Sequence, residues 1–269
     1  MIDIGANLTH KSFEHDLAAV VERARAAGVT PLVTGTSVEE SRHAIEIADR
    51  FDLHCTAGIH PHHAKDVNDA QISALAQVAR HPRVVAVGEC GLDFNRNYSP
   101  HPSQEQWFTA QIAVAQEIGK PLFLHSRDAH PRFAEILKAQ KVGKAVAHCF
   151  TGEKDELHAY LDLGLYIGIT GWICDERRGN HLLGLVRDIP RDRLLLETDA
   201  PYLTPRDMKP QPKARRNEPA FLPHILKTVA RALGRPAEEV AAETTQNAVR
   251  LFSLREPRST TAAQRPLAA

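Results

Sequence analysis

Eight short apolar runs alternate with helix-patterned stretches from the N-terminus to residue 197, and that alternation restricts the fold more than any other feature. The runs cover residues 2–5, 31–34, 53–58, 84–88, 121–124, 145–147, 165–170 and 194–197. Each is rich in Val, Ile, Leu or Phe and bounded by Gly, Pro or polar residues, as strands are. They lack clean two-residue alternation, which suits parallel strands covered on both faces. Helical periods fill the gaps at 16–27, 38–51, 69–80, 103–118, 132–140, 154–163 and 180–188. Ser37 and Ser103 stand at N-cap positions, and Gly28, Gly119 and Gly164 sit just past helix ends. Repeated strand–helix units predict an α/β fold, a (β/α)8 TIM barrel, with extra C-terminal helices at 220–233 and 237–252. The proline-rich stretch 201–219 reads as a long ordered loop after the eighth strand. A single domain is expected over 1–254, followed by a disordered tail at 255–269. An open doubly wound sheet is the alternative. It calls for a Gly-rich phosphate turn after the first strand, and Gly5-Ala-Asn-Leu-Thr-His does not supply one.

Composition narrows the functional classes. A 43% hydrophobic fraction over 269 residues can build a sizeable core, which excludes disorder over most of the chain. Lys and Arg (33) balance Asp and Glu (33), so a globally basic nucleic-acid binder is excluded while a local basic patch is not. No apolar run approaches a membrane span, and no basic n-region or cleavage site marks a secretory signal. The four cysteines never form a C-x-x-C pair, which argues against a zinc knuckle or disulfide framework and favours a cytoplasmic location.

Chemistry in a barrel sits at the C-terminal ends of the strands. There the chain carries Asn7 and Thr9, then His60, His62 and His63, then Glu89 and Asp93, then His125, Arg127 and Asp128, then His148, and finally Asp199. Glu89, His125 and His148 are each separated by about one β/α unit, and Asp199 follows two units later. Equivalent strand ends converge, so these four side chains could share one ion. A single histidine at a strand end is more often a hydrogen-bonded structural residue than a ligand; four metal-competent residues at successive eligible positions are poorly explained that way. Two imidazoles and two carboxylates suit Zn, Mn, Fe or Co, and Mg where waters complete the shell. Asp93 and Asp128 could equally cap helices, and His62 and His63 read as solvated loop residues. The cysteines beside Glu89 and His148 are expected to point away from the mouth and pack.

These positions lie in a set of motifs: Gly58-Ile-His60-Pro-His62, Gly88-Glu89-Cys-Gly-Leu-Asp93-Phe, His125-Ser-Arg127-Asp128-Ala, His148-Cys-Phe150-Thr-Gly152, Gly168-Ile-Thr-Gly171 and Leu196-Glu197-Thr-Asp199-Ala-Pro-Tyr202-Leu. Together they resemble the TatD-type metal-dependent deoxyribonucleases of the amidohydrolase-like barrel superfamily, over residues 1–254. The resemblance implies a TIM barrel, a divalent metal and phosphodiester hydrolysis, often trimming DNA from the 3′ end. It implies Glu89, His125, His148 and Asp199 as the main metal-site residues, with His60 close by. Most relatives carry His-x-His after the first strand, where this chain has Asn7 and Thr9, as the TatD proper branch does. Amide and hydroxyl oxygens are weaker ligands than imidazole. One firmly bound ion is therefore expected, Mg or Mn first and Zn next, with a second ion weak or recruited with substrate.

The expected mechanism is attack by metal-activated water. Asp199 would ligate and accept the water's proton, Glu89 would be the central carboxylate, and His60 would hydrogen-bond the phosphate or protonate the leaving oxygen. Residues 206–216 hold Arg206, Lys209, Lys213, Arg215 and Arg216 against Asp207 alone, a net +4. With Arg127, Arg177 and Arg178 they are expected to guide a single-stranded DNA or RNA backbone. Tyr202, Phe150 and Trp172 near the mouth could stack on bases or equally pack in the core. A salt bridge from Arg127 to Asp128, and a merely solvated loop, are the plainer alternatives. A monomer is expected. The competing readings are an amidohydrolase or esterase acting on a small molecule or aminoacyl-tRNA, and a non-catalytic metal-stabilised scaffold.

Overall fold

The structure is a computed structural model that describes residues 1–212 and 214–254. The tail expected at 255–269, and Lys213 within the basic loop, lie outside the described residues. Eight parallel strands make one sheet in chain order: β1 (Ile2–Ala6), β2 (Thr30–Val33), β3 (His54–Ala57), β4 (Val84–Asp93), β5 (Leu122–Arg127), β6 (Ala145–Ala147), β7 (Tyr166–Ile169) and β8 (Leu194–Leu196). The sheet closes where the chain's first and last strands meet. Asn7 N–H donates to the Ala200 carbonyl (2.7 Å), Asp199 N–H donates to the Gly5 carbonyl (2.9 Å), and Ala6 bridges Ala200. The (β/α)8 barrel is therefore the architecture, with a narrow seam at the C-terminal end of β1 and β8.

Seven helices wrap the barrel: α1 (Leu17–Ala26), α2 (Val38–Phe51), α3 (Asp69–Val78), α4 (His101–Ile118), α5 (Arg132–Ala139), α6 (Lys154–Asp162) and α7 (Leu182–Leu185). Local chemistry sets their ends. Ser37 caps α2 by accepting the Glu40 N–H, and Asn68 and Gln71 form a capping box on α3. Ser103 is not a cap. Helix α4 begins at His101, because a proline in its first turn needs no hydrogen-bond partner for its nitrogen. The expected helix at 180–188 is a single α-turn that continues as a 3-10 turn over Val186–Asp188.

Two further helices follow the barrel, α8 (Leu222–Leu233) and α9 (Ala237–Phe252). Inside the barrel Ile4, Leu32, Ala86, Phe123, Val146 and Leu195 pack into one apolar cluster. Ala248, Leu251 and Phe252 of α9 complete it, so the last helix stoppers the end opposite the mouth. No helix among the described residues is long and apolar enough to cross a membrane.

Strands β4 and β5 run well past their apolar segments. They pair Gly91 with His125, Leu92 with Ser126 and Asp93 with Arg127, so Glu89 and His125 belong to strands rather than to the loops after them. The register slips between Val87 and Cys90, a bulge that holds Gly88 and Glu89. Gly88 has φ +135°, and a Cβ there would collide with the Phe123 carbonyl of β5. Only glycine allows the two strands this close, and the bulge turns the next side chain, Glu89, into the mouth.

Candidate metal centre

At the mouth three imidazoles converge on one carboxylate oxygen. Glu89 Oε1 lies 2.8 Å from His148 Nε2, 3.1 Å from His125 Nδ1 and 3.2 Å from His60 Nε2. His125 Nδ1 and His148 Nε2 are themselves 3.4 Å apart. Glu89, His60 and His148 are buried, and His60, Glu89 and His125 each offer a ligand atom within 4.8 Å of the others. Burial alone would push the Glu89 carboxyl up, but His148 and His60 outweigh it and hold the group well below its usual range. Burial works against charge on His148 too; Glu89 and Glu197 overcome it and raise that imidazole well above its usual value. His60, where burial dominates, is pushed down to about 4 and is neutral at pH 7.

Such a set, three ring nitrogens crowding one buried oxygen, fits a divalent cation of borderline softness. Second contacts fix the rings. His60 Nδ1 accepts the His62 N–H, which leaves Nε2 toward Glu89. His125 Nε2 lies 3.4 Å from Asp93 Oδ2, too oblique for a full hydrogen bond. Asp93 also takes His62 Nε2 at 2.7 Å and the N–H groups of Asn95 and Arg96. It therefore caps the following turn and braces the site at once, and His62 is tied down rather than solvated.

Asp199 lines the same mouth and feels the charges of His148 and Glu89; like His148, it lies outside the tightest ligand set of His60, Glu89 and His125. Its Oδ1 accepts from Asn7 Nδ2 at 2.9 Å across the seam. Burial raises its carboxyl to about 7. Asn7 thus serves Asp199 rather than taking the place of a histidine ligand.

Sequence reasoning passed over Glu197. It is fully buried; one oxygen accepts the Cys149 N–H and the other lies 3.4 Å from His148 Nδ1. A Cβ at Gly5 or Gly168 would stand 2.6 Å from a Glu197 oxygen, so the carboxyl occupies room that those glycines leave. Next to it Asp3, also fully buried, accepts Thr198 N–H at 2.8 Å and Thr198 Oγ1 at 2.5 Å. Both acids sit inside runs read as apolar strand. The signal available was a charged residue interrupting such a run.

Cys149 lines the mouth, contrary to expectation, because its φ of +47° breaks strand alternation. Cys90 is core, as expected, and so is Phe150. The rim is more heavily paired than its sequence suggests. Arg127, Arg177, Arg178, Arg206, Arg215 and Tyr202 all line the mouth cavity of about 780 Å³. Arg177 and Arg178 clasp Asp175, and Arg206 reaches Glu176 at 3.1 Å. Arg216 faces away: it bonds Asp16 and Glu218, lies over the Phe13 ring and is only 19% exposed. Lys209 does not line the cavity. Arg127 makes no ion pair with Asp128; its guanidinium lies 5.9 Å from the Trp172 ring, whose other neighbour is Arg178 at 4.2 Å. Tyr202 is 51% exposed and packs edge-on against His10, a residue that gave no signal in the sequence.

The model of the TatD related DNase family matches residues 2–253. The chain belongs to that family. Two of its TatD relatives carry the name 3′-5′ ssDNA/RNA exonuclease TatD. The protein of Pantoea vagans is 56% identical over 259 residues, covering 94% of this chain and all of the relative. That of Klebsiella pneumoniae is 53% identical over 258 residues, covering 94% of this chain and 98% of the relative. Among solved structures, a TatD homologue of Escherichia coli superposes with a TM-score of 0.87 at 28% identity, covering 95% of this chain and 98% of the other. TatD membership and the barrel agree with the resemblance carried by the strand-end motifs.

Proposed function

We propose that this chain is a metal-dependent nuclease that trims single-stranded DNA or RNA from the 3′ end. The observation that carries the reading is the convergence of His60, His125 and His148 on Glu89 in a cationic mouth, in a chain so similar to proteins named as exonucleases. His60, Glu89 and His125, whose ligand atoms lie within 4.8 Å of one another, would hold the ion, with His148 against Glu89 and Asp199 lining the same mouth. The imidazole-rich set favours Mn²⁺ or Zn²⁺ over Mg²⁺. When bound, a divalent cation supplies Lewis acidity toward the phosphoryl oxygen and lowers the pKa of water.

The chain's own groups do the rest. Asp199, with a carboxyl raised to about 7, is matched to accept the proton of the attacking water near neutrality. Asn7 holds one of its oxygens and leaves the other for that proton. His60 has one ring nitrogen engaged by backbone and the other on Glu89, so it orients the group rather than protonating the leaving oxygen. Glu197 stands 3.4 Å behind His148 Nδ1, where its charge acts on the ring although no full hydrogen bond forms. Arg96, Arg127 and Arg215, which form no ion pair among the described residues, are rim cations free to neutralise phosphate. Tyr202 offers an exposed ring for a base. A cavity of about 780 Å³ suits a strand end rather than a duplex.

All four cysteines are free and three are buried, which supports a reducing cytoplasm. The test uses 5′- and 3′-end-labelled single-stranded DNA and RNA with a panel of divalent cations. Stepwise shortening from the 3′ end, lost in Glu89→Gln and with chelator, is the expected result. Unchanged ladders in Glu89→Gln would remove the proposal.

A further inference from the structure

A second group of metal-competent side chains lies outside the mouth and shares no residue with it. Cys174 ends the 3-10 turn Gly171–Cys174 that follows β7, Asp207 lies in the loop after β8, and His224 lies in the first turn of α8. One ligand atom from each falls within 4.8 Å of the other two. His224 Nε2 is 2.7 Å from Asp207 Oδ1, and the buried Cys174 Sγ is 3.5 Å from Thr228 Oγ1. A thiol, an imidazole and a carboxylate from three distant segments meet here, although Cys174 also packs in the core. They are the donor types that Zn²⁺ takes with three protein ligands and one open position. An adjoining cavity of about 280 Å³, lined by Cys174, Asp207, Glu176 and Thr228, leaves room for the fourth ligand. Arg187 and Arg231 also line it and oppose a cation. Arg187 is committed through Nε to the Ala232 carbonyl, while Asp207 and Glu176 bring negative charge.

We propose that Cys174, Asp207 and His224 form a second metal site, for a thiolate-binding divalent cation of the Zn²⁺ class. The site ties the loop carrying Arg206 to helix α8 and to the turn carrying Trp172. Arg206 already reaches Glu176 from that loop and Gln211 donates to its carbonyl, so the cation would add a further tie to this rim.

The probe is Co²⁺ added to the full chain, read by absorbance. Cobalt bound to a thiolate gives a charge-transfer band in the near ultraviolet that nitrogen and oxygen ligands do not. The band should appear in the wild type and in Glu89→Gln, which empties the mouth group, and in Cys149→Ser, which removes the thiol lining the mouth. It should vanish in Cys174→Ser, and excess Zn²⁺ should erase it from the wild type. His224→Gln and Asp207→Asn, on the partly exposed side, should weaken Co²⁺ binding at this site at least about tenfold and keep the fold if Cys174→Ser does not. Absence of the band from the wild type, its survival in Cys174→Ser, or unchanged affinity in both His224→Gln and Asp207→Asn overturns the proposal. None of these readouts depends on nuclease activity.

Discussion

Asp3 makes stability fall with rising pH, and the size of the effect follows from its burial. The side chain is fully buried on β1, and desolvation, against the hydrogen bonds from Thr198, raises its carboxyl to about 8. In the unfolded chain the same group ionises near 3.8. Between those values the native protein holds one proton that the unfolded chain has released. One extra native proton lowers the unfolding free energy by about 1.4 kcal/mol for each unit of rising pH. From pH 5 to pH 7 the loss from this residue alone is about 3 kcal/mol. Asp3→Asn is neutral at every pH and keeps an oxygen for the Thr198 N–H, so it should lack this slope. Urea midpoints of the metal-free wild type and variant at pH 5, 6, 7 and 8 check it, since titrating groups that do not interact with Asp3 cancel in their difference. The variant should gain on the wild type by about 3 kcal/mol between pH 5 and 7. A difference that stays flat across the series, or one that moves in favour of the wild type, refutes the reasoning.

Three further outcomes are expected. Glu197→Gln should weaken divalent-cation binding about 10- to 100-fold by calorimetry, because His148 loses the carboxyl behind its Nδ1. Activity should climb with pH as Asp199 loses its proton, with the midpoint below the metal-free value of about 7 because the bound cation favours the carboxylate, and Asp199→Asn should lack that rising limb in a pH–rate profile. Arg127→Ala and Arg215→Ala should each reduce the steepness of salt dependence of single-stranded DNA binding by about one unit, whereas Arg216→Ala, already spent on Asp16 and Glu218, should leave the slope alone and cost stability.

What the sequence disclosed, it disclosed through hydropathy and spacing. Eight apolar runs one unit apart were enough to bring Glu89, His125 and His148 to a shared mouth. Hydropathy ends a strand where side chains turn polar, but the backbone ladder of β4 and β5 continues to Asp93 and Arg127 because pairing needs only N–H and C=O groups. Charge counting credited the 206–216 loop with Arg216, whose partner Asp16 lies two hundred positions away in the chain and close only in the fold. Cys149 was assigned by alternation, a rule that a positive φ suspends. Glu197 and Asp3 went unread because an acid within an apolar run looks like the run's edge, and only the closed barrel shows what surrounds it.

The seam between β1 and β8 joins the first strand made to the last. Asn7 and Asp199 meet only there, and Thr198 reaches Asp3 only there. A polypeptide still emerging from the ribosome has the three histidines long before it has a closed ring, and so lacks Asp199 beside them. The mouth is complete only with the final turn of assembly.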